Sequence, residues 1–332
     1  MDRMDFNQAV MRVKVLEKRL LSRARVERMI EAKDVSEVYR ILQETEYQGS
    51  FIGVESPYDY EVLLNNELKR VYDLMDELTG EKVITDIISL RYFYHNLKVM
   101  IKEYAQDSKL DSLYVDFGYD IKAIKSAFLS NNYENVDPIV EKALKETKKV
   151  YEETDDPQKI DIILDKYYFI HLNKLVENVD IPLFLNYVKD LIDFTNIKTL
   201  LRVRKLGKDI RFLEEVLVPG GNISLQKISL SINDDLDTIS EKFEDEKIGP
   251  KIVLGIKSFK ETNRLSEYEK IMDNSLMDLN EESKTIIFGP EPLFSYLYAK
   301  ETENKILRMI MVSKLNNLSP EIIRERLRDL YV

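Results

Sequence analysis

The chain has 332 residues, 44% of them hydrophobic and 33% charged, with a net charge of −11 and no cysteine. The missing thiols exclude disulfides, thiolate catalysis and cysteine metal sites, and the acidity opposes general attraction to nucleic acid or anionic lipid. Ten glycines and nine prolines leave few helix breakers, so an all-α fold with several sub-cores is expected.

Near the start, Val10, Val13, Leu16 and Leu20 fall at steps of three and four, which predicts one long amphipathic helix with bases on its other side. Those bases are concentrated in 12–28: Arg12, Lys14, Lys18, Arg19, Arg23, Arg25 and Arg28. Asp34 with Glu37, and Ser266 with Glu269, have capping-box spacing. Asp137-Pro138, Asp156-Pro157 and Ser319-Pro320 mark further helix starts, since the polar residue can cap and proline lacks only an N–H that would be orphaned anyway. After Ser319 a C-terminal helix is expected, with Ile323, Leu327 and Leu330 inward and Arg324, Arg326 and Arg328 largely outward. Modules are expected to part near 107–120 and 212–235, the second containing the clearest break in periodicity, Val218-Pro219-Gly220-Gly221-Asn222. No apolar run approaches the roughly 18 residues needed to cross a bilayer. The opening Met1-Asp2-Arg3-Met4-Asp5 puts acid where a secretory signal needs base, which predicts a cytoplasmic location.

Catalytic chemistry is poorly represented. The two histidines, His95 and His171, lie in aromatic-rich helical stretches and read as structural, and no HExxH spacing sets two imidazoles on one helix face. Adjacent carboxylates such as Asp155-Asp156 or Glu281-Glu282 diverge on a helix, whereas acid–base pairs must converge. Gly220-Gly221 lacks the following Lys-Ser/Thr of a phosphate-binding loop and reads as a turn. No cofactor or metal site is expected. Residues 198–211 hold six bases against Asp209 alone, and 234–247 reverse that sign. Such stretches read either as solvated helix faces or as surfaces matched to charged partner proteins; without a nucleic-acid motif, nucleic acid is not expected.

The chain also repeats itself. Leu64-Asn65 recurs as Leu164-Asp165 and Asn96-Leu97-Lys98 as Asn196-Ile197-Lys198, both after 100 residues. A diverged third copy runs from Met272-Asp273 to Ile306-Leu307-Arg308, with Ile306 where the others have asparagine. Pro182-Leu183-Phe184 and Pro292-Leu293-Phe294 stand 16 residues before Lys198 and Arg308. This spacing predicts an N-terminal helix (1–30), packing with the C-terminal module, and three related modules at 31–120, 121–230 and 231–332. A generic helical-repeat scaffold is the alternative, although its usual periods of about 34 to 47 residues are not visible.

Several of these residues resemble one family. Arg12-x-Lys14 with Leu20-Leu21, then Leu42-x-x-Thr45-x-Tyr47, is similar to the start of the C-type subunit of V-type (A-type) ATPases, the counterpart of the d-type subunit of eukaryotic V-ATPases. Asp193-x-x-Asn196-Ile197-Lys198-x-x-Leu201-Arg202 with the Pro219-Gly220-Gly221 loop resembles its centre, and Glu301-x-Glu303-x-x-x-Leu307-Arg308-x-Ile310 with the Ser319-to-Leu327 helix resembles its end. The resemblance spans the chain. It implies a funnel-like socket of three pseudo-threefold-related helical modules, a non-catalytic rotor adaptor at the cytoplasmic face of the membrane. Its partners would be the central-stalk shaft and the proteolipid ring, one copy per complex, for H⁺ or Na⁺ transport. The candidate contact residues are Arg12, Lys14, Arg19, Lys198, Arg202, Arg204, Lys205 and Lys208. A protein that caps the ring buries apolar surface there, so some exposed Leu, Ile or Tyr is expected.

Overall fold

The computed structural model describes residues 3–80 and 82–331; Met1 and Asp2 of the acidic opening lie outside them. The described residues form α-helices and short 3-10 turns without a strand, so the all-α expectation holds. The helices are α1 (Asn7–Glu17), α2 (Arg23–Glu31), α3 (Val35–Gln43), α4 (Tyr60–Thr79), α5 (Val83–Gln106), α6 (Ile121–Ser130), α7 (Pro138–Thr154) and α8 (Pro157–Val179). They continue with α9 (Pro182–Lys205), α10 (Ile210–Val216), α11 (Leu225–Leu230), α12 (Leu236–Phe243), α13 (Gly249–Thr262), α14 (Leu265–Glu281), α15 (Glu291–Leu315) and α16 (Pro320–Arg326). Each copy of the repeat is a pair of consecutive helices: α4 and α5, α8 and α9, α14 and α15. The chain divides into two compact units, Met1–Ile88 with Ser266–Val332, and Ser89–Leu265.

Local chemistry sets the helix ends. The carboxylate of Asp137 accepts the Ile139 N–H at 2.7 Å, that of Asp156 the Gln158 N–H at 2.9 Å, and that of Asp34 the Glu37 N–H at 3.0 Å. Because glycine is scarce, Asn131, Asp155, Asp180 and Asn263 take the left-handed position after α6, α7, α8 and α13.

Three local expectations need correction. The first helix is short: it ends at Glu17, and Ser22 caps a new one by accepting the Arg25 N–H at 3.4 Å. Between them Leu20 and Leu21 turn inward, and the Leu21 N–H is bound by the Glu303 carboxylate, a tertiary bond that competes with continuing the helix. Ser266 does not cap α14, which already begins at Leu265. At the other end α16 stops at Arg326, and Arg328 turns inward because the poorly exposed Asp273 carboxylate draws its guanidinium to 2.9 Å.

In the first unit α15 is the central helix, packed on α1, α3, α4 and α16. Its C-terminal half is apolar: Ile306, Leu307, Ile310 and Met311 meet Leu21, Met29, Ile30, Leu42, Leu63, Leu64 and Ile323. Burial of each such side chain is worth about 1.5–3 kcal/mol. One turn earlier α15 buries charge instead. Lys300, 2% exposed, puts its ammonium 2.9 Å from both Glu67 and Glu303 and 4.2 Å above the Tyr47 ring. Glu67 also takes Arg70 and the Ser50 hydroxyl, each at 2.8 Å, while Glu303 takes the Tyr47 hydroxyl at 3.1 Å. Burial pulls the Lys300 pKa down, but Glu303, Tyr47 and Glu67 outweigh it and hold the amine well above its ordinary value. Farther along the same pairing, Tyr72 donates to Glu301 at 2.5 Å, the Asn304 amide to the Leu64 carbonyl at 3.3 Å, and Arg308 to Glu61 at 2.7 Å.

The second unit packs α7 on α8, α8 on α9 and α12 on α13. The repeated asparagines do the same work here. The Asn96 amide donates to the Val115 carbonyl (2.7 Å) and its oxygen accepts the Val115 N–H (2.9 Å). Asn196 grips Val218 in the same two-way fashion, at 2.8 and 2.9 Å. Asp193, one turn before Asn196 and fully buried, accepts the Asn222 and Ile223 N–H groups, both at 3.0 Å. Burial raises its pKa, and these bonds oppose that rise. The glycine pair is explained by this close approach: a Cβ on Gly221 would lie 2.1 Å from the Asp193 carboxylate, and one on Gly220 1.9 Å from the Asn173 amide. In the third copy, Ile306 faces the apolar core of the first unit.

Both histidines serve packing: His95 Nε2 is 2.9 Å from the Leu113 carbonyl, and His171 Nδ1 is 3.3 Å from the Tyr94 hydroxyl. Beyond Asn96 on α5, Glu103 fastens the next loop by accepting the Leu110 N–H (2.7 Å), the Tyr114 hydroxyl (2.7 Å) and Lys125 (2.6 Å).

Asn196→Ala is expected to cost about 2–4 kcal/mol, because it strands the N–H and carbonyl of Val218; Asn96→Ala, whose partners are less buried, should cost less, and urea titration of both variants checks the order. Lys300→Met should destabilise by about 3–5 kcal/mol by leaving buried carboxylates uncompensated, read in the same titration. Burial raises the Glu103 pKa, but Lys125, the Leu110 N–H and Tyr114 outweigh it and hold the group at about 2, against 4.5 ordinarily. A depressed folded-state pKa means that this stability is present above 4.5 and is lost as pH falls toward about 2. The melting temperature of Glu103→Gln should therefore fall less steeply than that of the parent across that acid window.

Candidate interaction surfaces

The eight candidate bases form two groups. Arg12, Lys14 and Arg19 belong to α1 and the turn after it, in the first unit. Lys198, Arg202, Arg204, Lys205 and Lys208 lie on the last turns of α9 and just beyond, in the second. Within each group the side chains divide between internal partners and solvent.

In the first group Lys14 pairs with Glu17 at 3.0 Å and donates to the Lys284 carbonyl at 3.2 Å, while Arg19 pairs with Glu46 at 3.0 Å. Arg12 is exposed, has no ion pair among the described residues, and lines a groove of about 390 Å³ with Leu16, Arg19, Asp73 and Glu77. Lys18, Arg23 and Arg25 are likewise exposed or half-buried without an ion pair among the described residues, whereas Arg28 reaches Glu44 at 3.7 Å. The outer face of α1 is not purely basic: Met11 is 69% and Val15 54% exposed beside Arg12. Inward, Ala9, Val10 and Val13 are buried, so α1 carries apolar side chains on both faces.

In the second group, Arg204 donates to the carbonyls of Ser231 (3.4 Å) and Ile232, and Lys205 to the carbonyl of Asn263 at 2.7 Å. These two bases tie the end of α9 to the loop after α11 and to the cap of α13. Lys198 is half-buried, and Arg202 and Lys208 are exposed, Lys208 lying 5.8 Å from the Phe212 ring centre. Of the seven acids in 234–247 three are paired inside their own unit, Asp234 with Lys242, Asp237 with Lys260 at 2.7 Å and Glu246 with Lys227 at 2.5 Å, while Asp235, Glu241, Glu244 and Asp245 are exposed without an ion pair among the described residues.

Two features escape a reading of the sequence. One is the buried charge cluster, because Lys300-Glu301-Thr302-Glu303-Asn304 reads as a solvated run unless its helix is known to be central. The cluster joins the N-terminal motifs to the C-terminal one: Glu303 binds both the Leu21 N–H and the Tyr47 hydroxyl. The other is a loop before α4 that holds Ile52 and Tyr58 in solvent, 80% and 76% exposed. No group of three His, Cys, Asp or Glu side chains among the described residues is arranged to hold a metal.

Residues 9–326 match the model of the ATP synthase (C/AC39) subunit family. The chain is 27% identical over 329 residues to the C-type subunit of the V-type sodium ATPase of Enterococcus hirae, covering 99% of both chains. It is 23% identical to the C-type subunit of the A-type ATP synthase of Methanocaldococcus jannaschii, over 96% of this chain and 85% of that one. With the corresponding A-type ATP synthase protein of Thermococcus gammatolerans the identity is 24%, over 95% and 87%. The chain therefore belongs to the ATP synthase (C/AC39) subunit family and is a non-catalytic subunit of a V/A-type rotary ATPase.

Proposed function

We propose that this protein is the rotor adaptor of its ATPase. In this reading it seats the central-stalk shaft on the membrane proteolipid ring at the cytoplasmic face, one copy per complex, and passes torque between the ATP-driven head and H⁺ or Na⁺ transport. The observation that carries the reading is the match over nearly the whole chain to relatives named as the C-type subunits of a V-type sodium ATPase and of A-type ATP synthases. No helix among the described residues is long and apolar enough to cross a membrane, so attachment would run through the ring proteins. The three helix pairs would supply the three modules of a funnel-like socket, with the packing of α1 on α15 supporting an N-terminal helix joined to the last module.

Torque transfer requires helices that do not slide past one another. The pairing of α4 with α15 suits that requirement, because Glu61 with Arg308, Leu64 with Asn304, Glu67 with Lys300 and Tyr72 with Glu301 fix one register. A slip of one residue would break all of these and strand buried charge. For attachment, the exposed bases without an ion pair among the described residues, Arg12, Arg202 and Lys208, are the proposed contact points; Lys14, Arg19, Arg204 and Lys205 would contribute by holding their surfaces in place.

Tagged protein isolated from its own membranes is expected to bring down both ring and shaft proteins, identified by mass spectrometry; recovery of neither, from membranes whose remaining ATPase is intact, would sink the reading. Within that assay, Arg202→Glu with Lys208→Glu should reduce recovery of partners while thermal unfolding stays unchanged. Arg204→Glu should instead lower the unfolding temperature, since it removes bonds to the 231–232 loop.

A further inference from the structure

The segment between the 3-10 turn Glu46–Ser50 and α4 shows large apolar side chains to solvent on a backbone that is firmly held. Ile52 and Tyr58 are the extreme cases, and Val62, on the first turn of α4, is 40% exposed. The Asn66 amide donates to the carbonyls of Ser50 (3.0 Å) and Ile52 (2.8 Å). The Asp59 carboxylate accepts the N–H groups of Glu55 (3.0 Å) and Ser56 (2.7 Å), and the Tyr39 hydroxyl lies 3.4 and 3.3 Å from the carbonyls of Ser56 and Pro57. Underneath, Phe51 meets Tyr39 edge-on at 5.4 Å, and Phe51, Val54 and Tyr60 pack against the core. The loop thus points its other apolar residues inward while Ile52 and Tyr58 stay out. A backbone ordered in advance spares a partner the entropy of ordering it, and clustered exposed apolar side chains mark a contact.

Charge narrows the identity of that partner. Residues 51–60 contain Glu55 and Asp59 and no Lys or Arg, while the acids farther back, Glu44 and Glu46, are paired with Arg28 and Arg19. On the following turn Arg308 is already bound to Glu61. An acidic surface is repelled by anionic lipid and fits an apolar surface edged with bases. Cytoplasmic loops of membrane proteins carry an excess of Lys and Arg. We propose that the Ile52–Tyr58 loop docks on the basic cytoplasmic loops of the membrane-ring proteins; this rests on the rotor-adaptor reading above.

The test places the photo-crosslinker benzoylphenylalanine at Ile52 or Tyr58 in the assembled complex and maps its adducts by mass spectrometry. Adducts on the cytoplasmic loops of ring proteins are expected. Adducts confined to shaft proteins, lipid or a second copy of this chain would overturn the proposal, as would no adduct from a complex that retains ring and shaft. In parallel, Tyr58→Glu should weaken binding to the detergent-solubilised ring about thirtyfold with unchanged thermal unfolding, and unchanged affinity would also overturn it. If the parent protein recovers neither ring nor shaft, the adaptor reading itself fails; if it recovers both and the adducts lie elsewhere, only the assignment of this loop fails.

Discussion

A lysine ammonium buried between two carboxylates fixes the first unit. Removing Lys300, Glu67 and Glu303 from water is costly, and their attraction offsets that cost only while the remaining hydrogen-bonding capacity is filled. It is filled by pieces of chain far apart in sequence: the Leu21 N–H, the Tyr47 hydroxyl, the Ser50 hydroxyl and Arg70. The path of the N-terminal segment follows from this. The break between α1 and α2 delivers a free N–H to Glu303, and the turn after α3 places the Tyr47 ring beneath the ammonium. The apolar half of α15 supplies much of the driving force for collapse, while the charged half admits one register against α4.

The second unit uses a different device for the same end. Its helices are joined by loops that would slide if they met the helices only through apolar contact, and a primary amide gripping both faces of one peptide residue prevents that. Asn96 and Asn196 do this at equivalent repeat positions, Asp193 adds a second hold in one copy, and Glu103 adds another in the other. The repeat therefore preserves a mechanical function within the chain, a loop pinned to the second helix of a pair. In the third copy isoleucine stands at this position and joins the core.

How much of this was legible follows from the range of the forces involved. The all-helical fold, the aspartate caps and the proline starts depend on neighbours within four residues, and they appear where expected. The single long first helix does not, because a tertiary carboxylate competes for the Leu21 N–H, and no local pattern contains Glu303. Arg328 read as outward for the same reason: helical periodicity was extended past Arg326 into a tail whose direction Asp273 sets. Among the candidate contact residues, the sequence could show that bases cluster near 12–28 and 198–211. It could not separate Arg202 from Arg204, which stand two apart on one helix, one meeting solvent and the other two backbone carbonyls.

That separation bears on how an adaptor can be stiff and still detach. Interactions among buried charges are little screened by salt, whereas exposed charges more than about 8–10 Å apart are largely screened at ordinary ionic strength. The Lys300 cluster belongs to the first kind, and contacts made through Arg12, Arg202, Lys208 or the loop carboxylates Glu55 and Asp59 belong to the second. An exposed ion pair is worth only about 0–1 kcal/mol, so strong attachment through such groups needs several of them together with apolar anchors. In 234–247 three acids are paired within the unit while Asp235, Glu241, Glu244 and Asp245 stay exposed, so that stretch keeps negative charge for a partner to meet alongside the exposed bases. In the proposed adaptor, rigidity and attachment therefore rest on electrostatics of different kinds, and conditions that loosen its hold on a partner need not soften the helices that carry torque.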